Sequence, residues 1–152
     1  MSKLDKMEDG QYIFGSIFVV ANRMDTLLER ELNNHDITTK QWLLSVVIDS
    51  LFDEPPTIKE VAKEMGSSHQ NVKQVALKLE QKGLLKLEKD KKDARATKIS
   101  LTDESYAFWA KTEGKGVAFI EAVFKDIEKD ELSKVRAVLV KMLSNLTKME
   151  ET

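Results

Sequence analysis

The chain contains no cysteine. That single absence removes disulfide frameworks, thiolate zinc sites, cysteine nucleophiles and thiol-based redox switches. Histidine is nearly as scarce, and His35 and His69 alone are too few for an all-imidazole metal site. No uninterrupted apolar run approaches the ~20 residues that span a bilayer. The N-terminal MSKLDKMEDG is charged where a signal peptide needs an apolar stretch, so a cytoplasmic protein with no membrane partner is expected. Acid–base chemistry also lacks its constellation. Asp53-Glu54 and Asp103-Glu104 are adjacent pairs that point to different sides of a helix, with no nucleophile, histidine partner or glycine-rich phosphate loop beside them. No enzyme is expected, and nothing calls for a cofactor or a metal.

Proline and glycine are rare enough to act as punctuation. The two prolines are the pair Pro55-Pro56, and between residues 16 and 113 the only glycines are Gly66 and Gly83. With 152 residues, 41% of them hydrophobic, the chain makes one domain or two small lobes. From Tyr12 to Leu32, Ile13, Ile17, Val20, Met24, Leu27 and Leu28 recur at the spacing of one helix face. This predicts a first helix of about five turns. Asn33-Asn34-His35-Asp36 breaks it, and Thr38 with Gln41 forms a capping-box signature for a second helix carrying Trp42, Leu43, Val46, Val47 and Leu51.

The middle third carries the densest signals. Thr57 with Glu60 is a second capping box, opening a short helix through Ile58, Val61, Ala62 and Met65 that Gly66 stops. Ser67 and Ser68 are cap candidates for the next helix, which buries Val72, Val75, Ala76 and Leu79 and closes at Gly83. Two short helices around a tight glycine turn make a helix-turn-helix. Leu85 to Glu88 then alternates, Lys89 to Arg95 is polar, and Thr97 to Leu101 alternates again, which predicts a β-hairpin with a basic tip. Thr102-Asp103-Glu104 caps the last third, where Gly114 and Gly116 are expected to interrupt or kink the helix. Beyond them, Leu132, Val135, Leu139, Met142, Leu146 and Met149 form a seven-residue seam suited to helix-on-helix packing with another chain.

Charge divides along the same boundaries. The whole chain is close to neutral at −2, yet residues 57–100 hold eleven Lys/Arg against six Asp/Glu, a net of +5, and the remainder is −7. A basic helix-turn-helix and hairpin between acidic arms is the electrostatic footprint of a surface that meets phosphate.

The helix-turn-helix followed by Lys82-Gly83-Leu84-Leu85, then Asp93-Ala94-Arg95 and Leu101-Thr102, resembles the MarR-type winged-helix transcriptional regulators. The resemblance covers nearly the whole chain. It implies a mainly α fold, with a winged helix-turn-helix lobe and a two-stranded β-hairpin wing over residues 37–102. Residues 1–36 and 103–152 become a helical dimerisation region. It further implies a homodimeric, effector-responsive repressor that recognises a near-palindromic site in double-stranded DNA. Ser67, Ser68, His69, Gln70, Asn71, Lys73, Gln74 and Lys78 are then the candidate contacts of the recognition helix. Asn and Gln pair bidentately with adenine, while Lys and Ser serve mainly phosphates. In the wing, Arg95 is the minor-groove or backbone contact, Asp93 holds it by a charge-assisted pair, and Lys91, Lys92 and Lys98 add phosphate contacts. Gln74 stands where many members carry arginine, and Leu77 where many are acidic. The first departure moves the expected preference toward adenine-rich sites, while Leu77 is expected to pack on the wing or touch a thymine methyl.

Two readings stay open at two places. A winged helix also serves as a protein-binding adaptor, and the +5 region favours DNA over that role. Phe14, Phe18, Trp42, Phe108 and Trp109 suit a pocket for a small-molecule effector of the kind the resemblance implies, or ordinary core, which aromatics at helical spacing more often are.

Overall fold

The computed structural model describes residues 2–152. After a short 3-10 turn at residues 4–6, the order is α1 (Asp9–Asn33), α2 (Thr39–Leu51), α3 (Ile58–Met65) and α4 (His69–Gln81). Strands β1 (Leu85–Lys89) and β2 (Thr97–Leu101) follow, then α5 (Asp103–Val123) and α6 (Lys129–Glu150). The expected mainly α, winged helix-turn-helix architecture is present. The chain divides into two compact units, residues 1–113 and 114–152.

The first unit is organised by caps. Thr38 Oγ1 accepts from Gln41 N at 3.1 Å while Gln41 Oε1 accepts from Thr38 N at 3.2 Å. Thr57 and Glu60 repeat this reciprocal box at the head of α3. Together they satisfy donors that a helix start leaves orphaned. Three helices end alike. Asp36 (φ 57), Gly66 (φ 63) and Gly83 (φ 77) adopt the left-handed conformation. Ile37 N, Ser67 N and Leu84 N then reach back to the carbonyls of Leu32, Ala62 and Leu79, the bond of a Schellman motif. Ile37 and Leu84, each one residue past its turn, are buried.

Those turns fold α2, α3, α4 and the hairpin around one core, with Leu44, Ile58, Val61, Val72, Leu79, Leu85 and Ile99 fully buried. The antiparallel register pairs Leu85 with Leu101 and Leu87 with Ile99. One hairpin face therefore lies on the helices while Lys86 and Glu88 stay outside. Pro56 and Thr57 add a third, minimal strand: Ile99 N donates to the Pro56 carbonyl at 2.9 Å, and Thr57 bridges Lys98. Proline is tolerated there because only its carbonyl is needed.

Three expectations change. Helix α1 begins at Asp9, three residues before Tyr12, and runs 25 residues. Its apolar stripe is mostly uncovered, since Ile13, Ile17, Val20, Met24 and Leu27 are exposed and only Leu28 and Leu32 join the core. In α2 the buried face is Leu44, Val47 and Ile48, with Gln41 and Ser45, whereas Leu43, Val46 and Leu51 are exposed. Helix α5 passes through Gly114 and Gly116 without interruption. The second unit holds the end of α5 and all of α6, joined through Asp126 at φ 63. No residue of α6 is buried, and Val135, Leu139, Leu146 and Met149 of its seam lie open.

Candidate nucleic-acid interface

Helix α4 has one apolar face and one polar face. Val72, Ala76 and Leu79 are buried and Val75 is half-buried, while Gln70, Asn71, Lys73, Gln74, Leu77, Lys78 and Gln81 are exposed. With about 3.6 residues per turn, Gln70, Gln74, Leu77 and Gln81 stand directly opposite the core. Lys73 lies on one flank of that row, with Asn71 and Lys78 on the other. The start of the helix is fixed by Ser68, whose Oγ accepts from Asn71 N at 3.1 Å. Ser67 belongs to the preceding turn, and its amide donates to Ala62 O. His69 is the exposed first residue of α4. Gln81, seven residues beyond Gln74, lies on the same exposed row and is reached by the same spacing, although it was not among the expected contacts.

The wing tip is built by two successive Asx turns. Asp90 Oδ1 accepts from Lys92 N at 3.0 Å, and Asp93 Oδ1 accepts from Arg95 N at 3.0 Å. Aspartate favours such turns because its carboxylate can bond a backbone amide two residues on. Asp90 N also donates to the Ala96 carbonyl, closing the loop. Asp93 Oδ1 lies 3.3 Å from Arg95 Nε, and the Arg95 side chain is 94% exposed. Asp90 is the second organising acid of the tip, and its Asp-x-Lys spacing repeats that of Asp93-x-Arg95.

Cations of the lobe divide into engaged and free. Lys98 is half-buried with its Nζ 4.0 Å from Asp90 Oδ1. Lys86 bonds Glu88. That hydrogen bond and the opposite charge hold Glu88 below the usual carboxylate range and raise Lys86. Lys82 turns inward, toward Asp36 and Gln41. Lys73, Lys78, Lys91 and Lys92 are exposed and form no ion pair among the described residues. Exposed lysines around a polar helix face and a wing tip can neutralise phosphates while the amides of Gln70, Asn71 and Gln74 address base edges.

The aromatic residues separate into two sets. Trp42, Phe108 and Trp109 pack against the core, and the Phe108 ring meets Trp109 and His35 edge-on at 4.9 and 6.1 Å. Phe14 and Phe18 are exposed on α1, edge-to-face at 5.5 Å. No group of metal-ligating side chains occurs among the described residues. No helix among them is long and apolar enough to cross a membrane.

Residues 35–96, which span α2 to the wing tip, match the MarR family. Among solved structures, a MarR/EmrR family transcriptional regulator from Acinetobacter sp. ADP1 superposes with a TM-score of 0.80 at 15% identity, over 93% of this chain and 99% of its own. The transcriptional regulator SlyA gives 0.78 at 17% identity, over 91% and 96%. The S. aureus MepR–DNA complex gives 0.75 at 21% identity, over 91% and 99%. These likenesses establish the fold. No curated protein matches the sequence.

Proposed function

We propose that this chain, a MarR-type winged-helix protein, is a homodimeric repressor that binds a near-palindromic site in double-stranded DNA and releases it in response to an effector. The observation that carries this reading is the shared exposure, on one compact unit, of the polar face of α4 and a wing tip whose two aspartates accept from the amides of Lys92 and Arg95. Residues 37–102 form the DNA-binding lobe, with Ser67, Ser68, His69, Gln70, Asn71, Lys73, Gln74 and Lys78 on the helix side. Lys91, Lys92, Asp93, Arg95 and Lys98 serve the wing. That the S. aureus relative was solved with DNA supports the assignment.

Residues 1–36 and 103–152 supply dimerisation. The open stripe of α1 and the open seam of α6 are each too apolar to remain in water, and a second copy is the partner that a seven-residue seam suits. Two winged lobes then address adjacent major grooves about one helical turn, ~34 Å, apart. Any ligand that prefers another lobe spacing weakens DNA binding by linkage. His35 Nε2, Ser105 Oγ and Trp109 Nε1 are buried without hydrogen-bond partners.

The test is selection of duplexes from a random pool by the purified protein, with the enriched sequences titrated against salt. Recovery of a near-palindrome with half-sites about one turn apart, bound less tightly as salt rises, is expected. Salt-insensitive or undetectable binding refutes the reading in favour of a protein-binding adaptor.

A further inference from the structure

Lys82 caps the C-terminus of α4. Its ammonium donates to the Asp36 carbonyl and to Gln41 Oε1 at 3.1 Å. The Asp36 carboxylate is 3.7 Å away but 96% exposed, so it contributes little and the neutral oxygens dominate the contact. Both acceptors belong to the joint between α1 and α2. Asp36 is the left-handed residue that ends α1, and Gln41, only 4% exposed, is the capping-box partner at the head of α2. Glu29 of α1 accepts from Thr39 N at the same joint. The exit of α4 is tied twice more. Glu80 Oε2 accepts from Leu87 N of β1 at 3.0 Å, and the Gly83 carbonyl accepts from the Thr102 hydroxyl at 2.7 Å.

We propose that Lys82 is a positioning residue for base reading, holding α4 at a fixed angle on the α1–α2 joint, and is not a phosphate contact. The inference rests on the DNA-binding reading above. Burial of Val72, Ala76 and Leu79 keeps α4 on the core, but apolar burial is non-directional. The bonds from Lys82 are directional and act at the far end from the base-reading residues. Gln70 lies twelve residues away, roughly 18 Å along the helix. A pivot of about 5° at Lys82 therefore displaces Gln70 by roughly 1.5 Å, beyond the ~0.5 Å window of a good hydrogen bond. Losing the tether blurs sequence reading while leaving the phosphate-facing lysines in place.

The experiment measures affinity of the full chain for the enriched duplex and for a scrambled duplex of equal length, across roughly 50–200 mM salt. Lys82→Met is expected to weaken the enriched duplex about tenfold, in the range of one lost bidentate base contact. The scrambled duplex changes by less than about twofold, and the salt slope for either is unaltered. Lys82→Arg, which keeps donors at the joint, restores wild-type discrimination. Lys91→Ala, the phosphate control, makes the slope shallower on both duplexes. If Lys82→Met no longer unfolds cooperatively, Lys82→Gln carries the same comparison. Equal weakening on both duplexes with a shallower slope overturns the proposal in favour of a phosphate contact, and unchanged discrimination overturns it as an idle contact. A wild-type protein that enriches no duplex removes the DNA-binding premise itself, before any variant is compared.

Discussion

Replacing Arg95 with alanine tests the proposed wing contact and the proposed homodimer in one titration. The side chain is 94% exposed and touches Asp93 alone among the ion pairs. Its removal leaves no cavity, and stability is expected to stay within about 0.5 kcal/mol of wild type. The tip turn also survives, because Asp93 Oδ1 still accepts from the backbone N of residue 95. What disappears is one cation per protomer. Each phosphate neutralised on duplex DNA adds roughly −0.9 to the slope of log affinity against log salt. A dimer losing two contacts becomes shallower by roughly 1.8. The fall in affinity between 50 and 200 mM salt is then about twelvefold smaller than for wild type, against roughly 3.5-fold for one contact. Fluorescence anisotropy of a labelled enriched duplex at several salt concentrations reads this directly, with circular dichroism confirming the fold. A slope change near 0.9 refutes engagement of two wings, and no change refutes a phosphate or groove role for Arg95.

Other substitutions separate reading, folding and assembly. Gln74→Ala is expected to lower the ratio of enriched to scrambled affinity about tenfold, as for one bidentate base contact, with scrambled binding unchanged; equal losses on both duplexes refute base reading by Gln74. Gly66→Ala meets no atom within 4 Å and bears only the left-handed backbone cost, roughly 1–2 kcal/mol. Gly83→Ala bears the same left-handed cost, and its Cβ meets only Glu104 Oε2 at 2.6 Å, the far end of an exposed side chain free to swing away, so the two denaturation midpoints, measured at fixed protein concentration, should fall by similar amounts; a much larger loss at Gly83 shows that Glu104 cannot move. Leu139→Glu, in the open seam of α6, is expected to convert dimer to monomer in sedimentation, and an unaltered dimer shows that the seam lies outside the interface.

What the sequence announced correctly is what short range decides. The boxes at Thr38/Gln41 and Thr57/Glu60 and the turns at Gly66 and Gly83 join residues a few positions apart, and the hairpin was legible from alternation on either side of a polar run. The buried face of α2 was misjudged because Trp42, Leu43, Leu44, Val46, Val47 and Ile48 make the helix apolar nearly all round. Periodicity then has no polar face to measure against. Gly114 and Gly116 overstated the break, since a glycine inside a helix costs only about 1 kcal/mol and α5 continues through both. The exposed face of α4 was legible from its period. Lys82 was not, because its acceptors Gln41 and Asp36 lie 41 and 46 positions away, and no spacing rule spans that distance.

That tether changes what a charge count means. Lys86 with Glu88, Lys98 with Asp90 and Arg95 with Asp93 each sum to zero, so pairing leaves the +5 of residues 57–100 intact. Lys82, facing neutral oxygens more closely than a carboxylate, keeps its charge within the same field. Under the proposed DNA-binding reading, the long-range potential that steers DNA to the lobe is set by the full count, and pairing or inward rotation barely weakens it. Counterion release is different, because only cations seated on phosphates displace ions from the duplex. Lys73 and Lys78 beside the α4 face and Lys91 and Lys92 on the wing are free to do so, whereas Lys82 is not. Association rate and salt slope thus report different subsets of the same lysines. A substitution that slows association without changing the slope identifies a residue acting through the field alone.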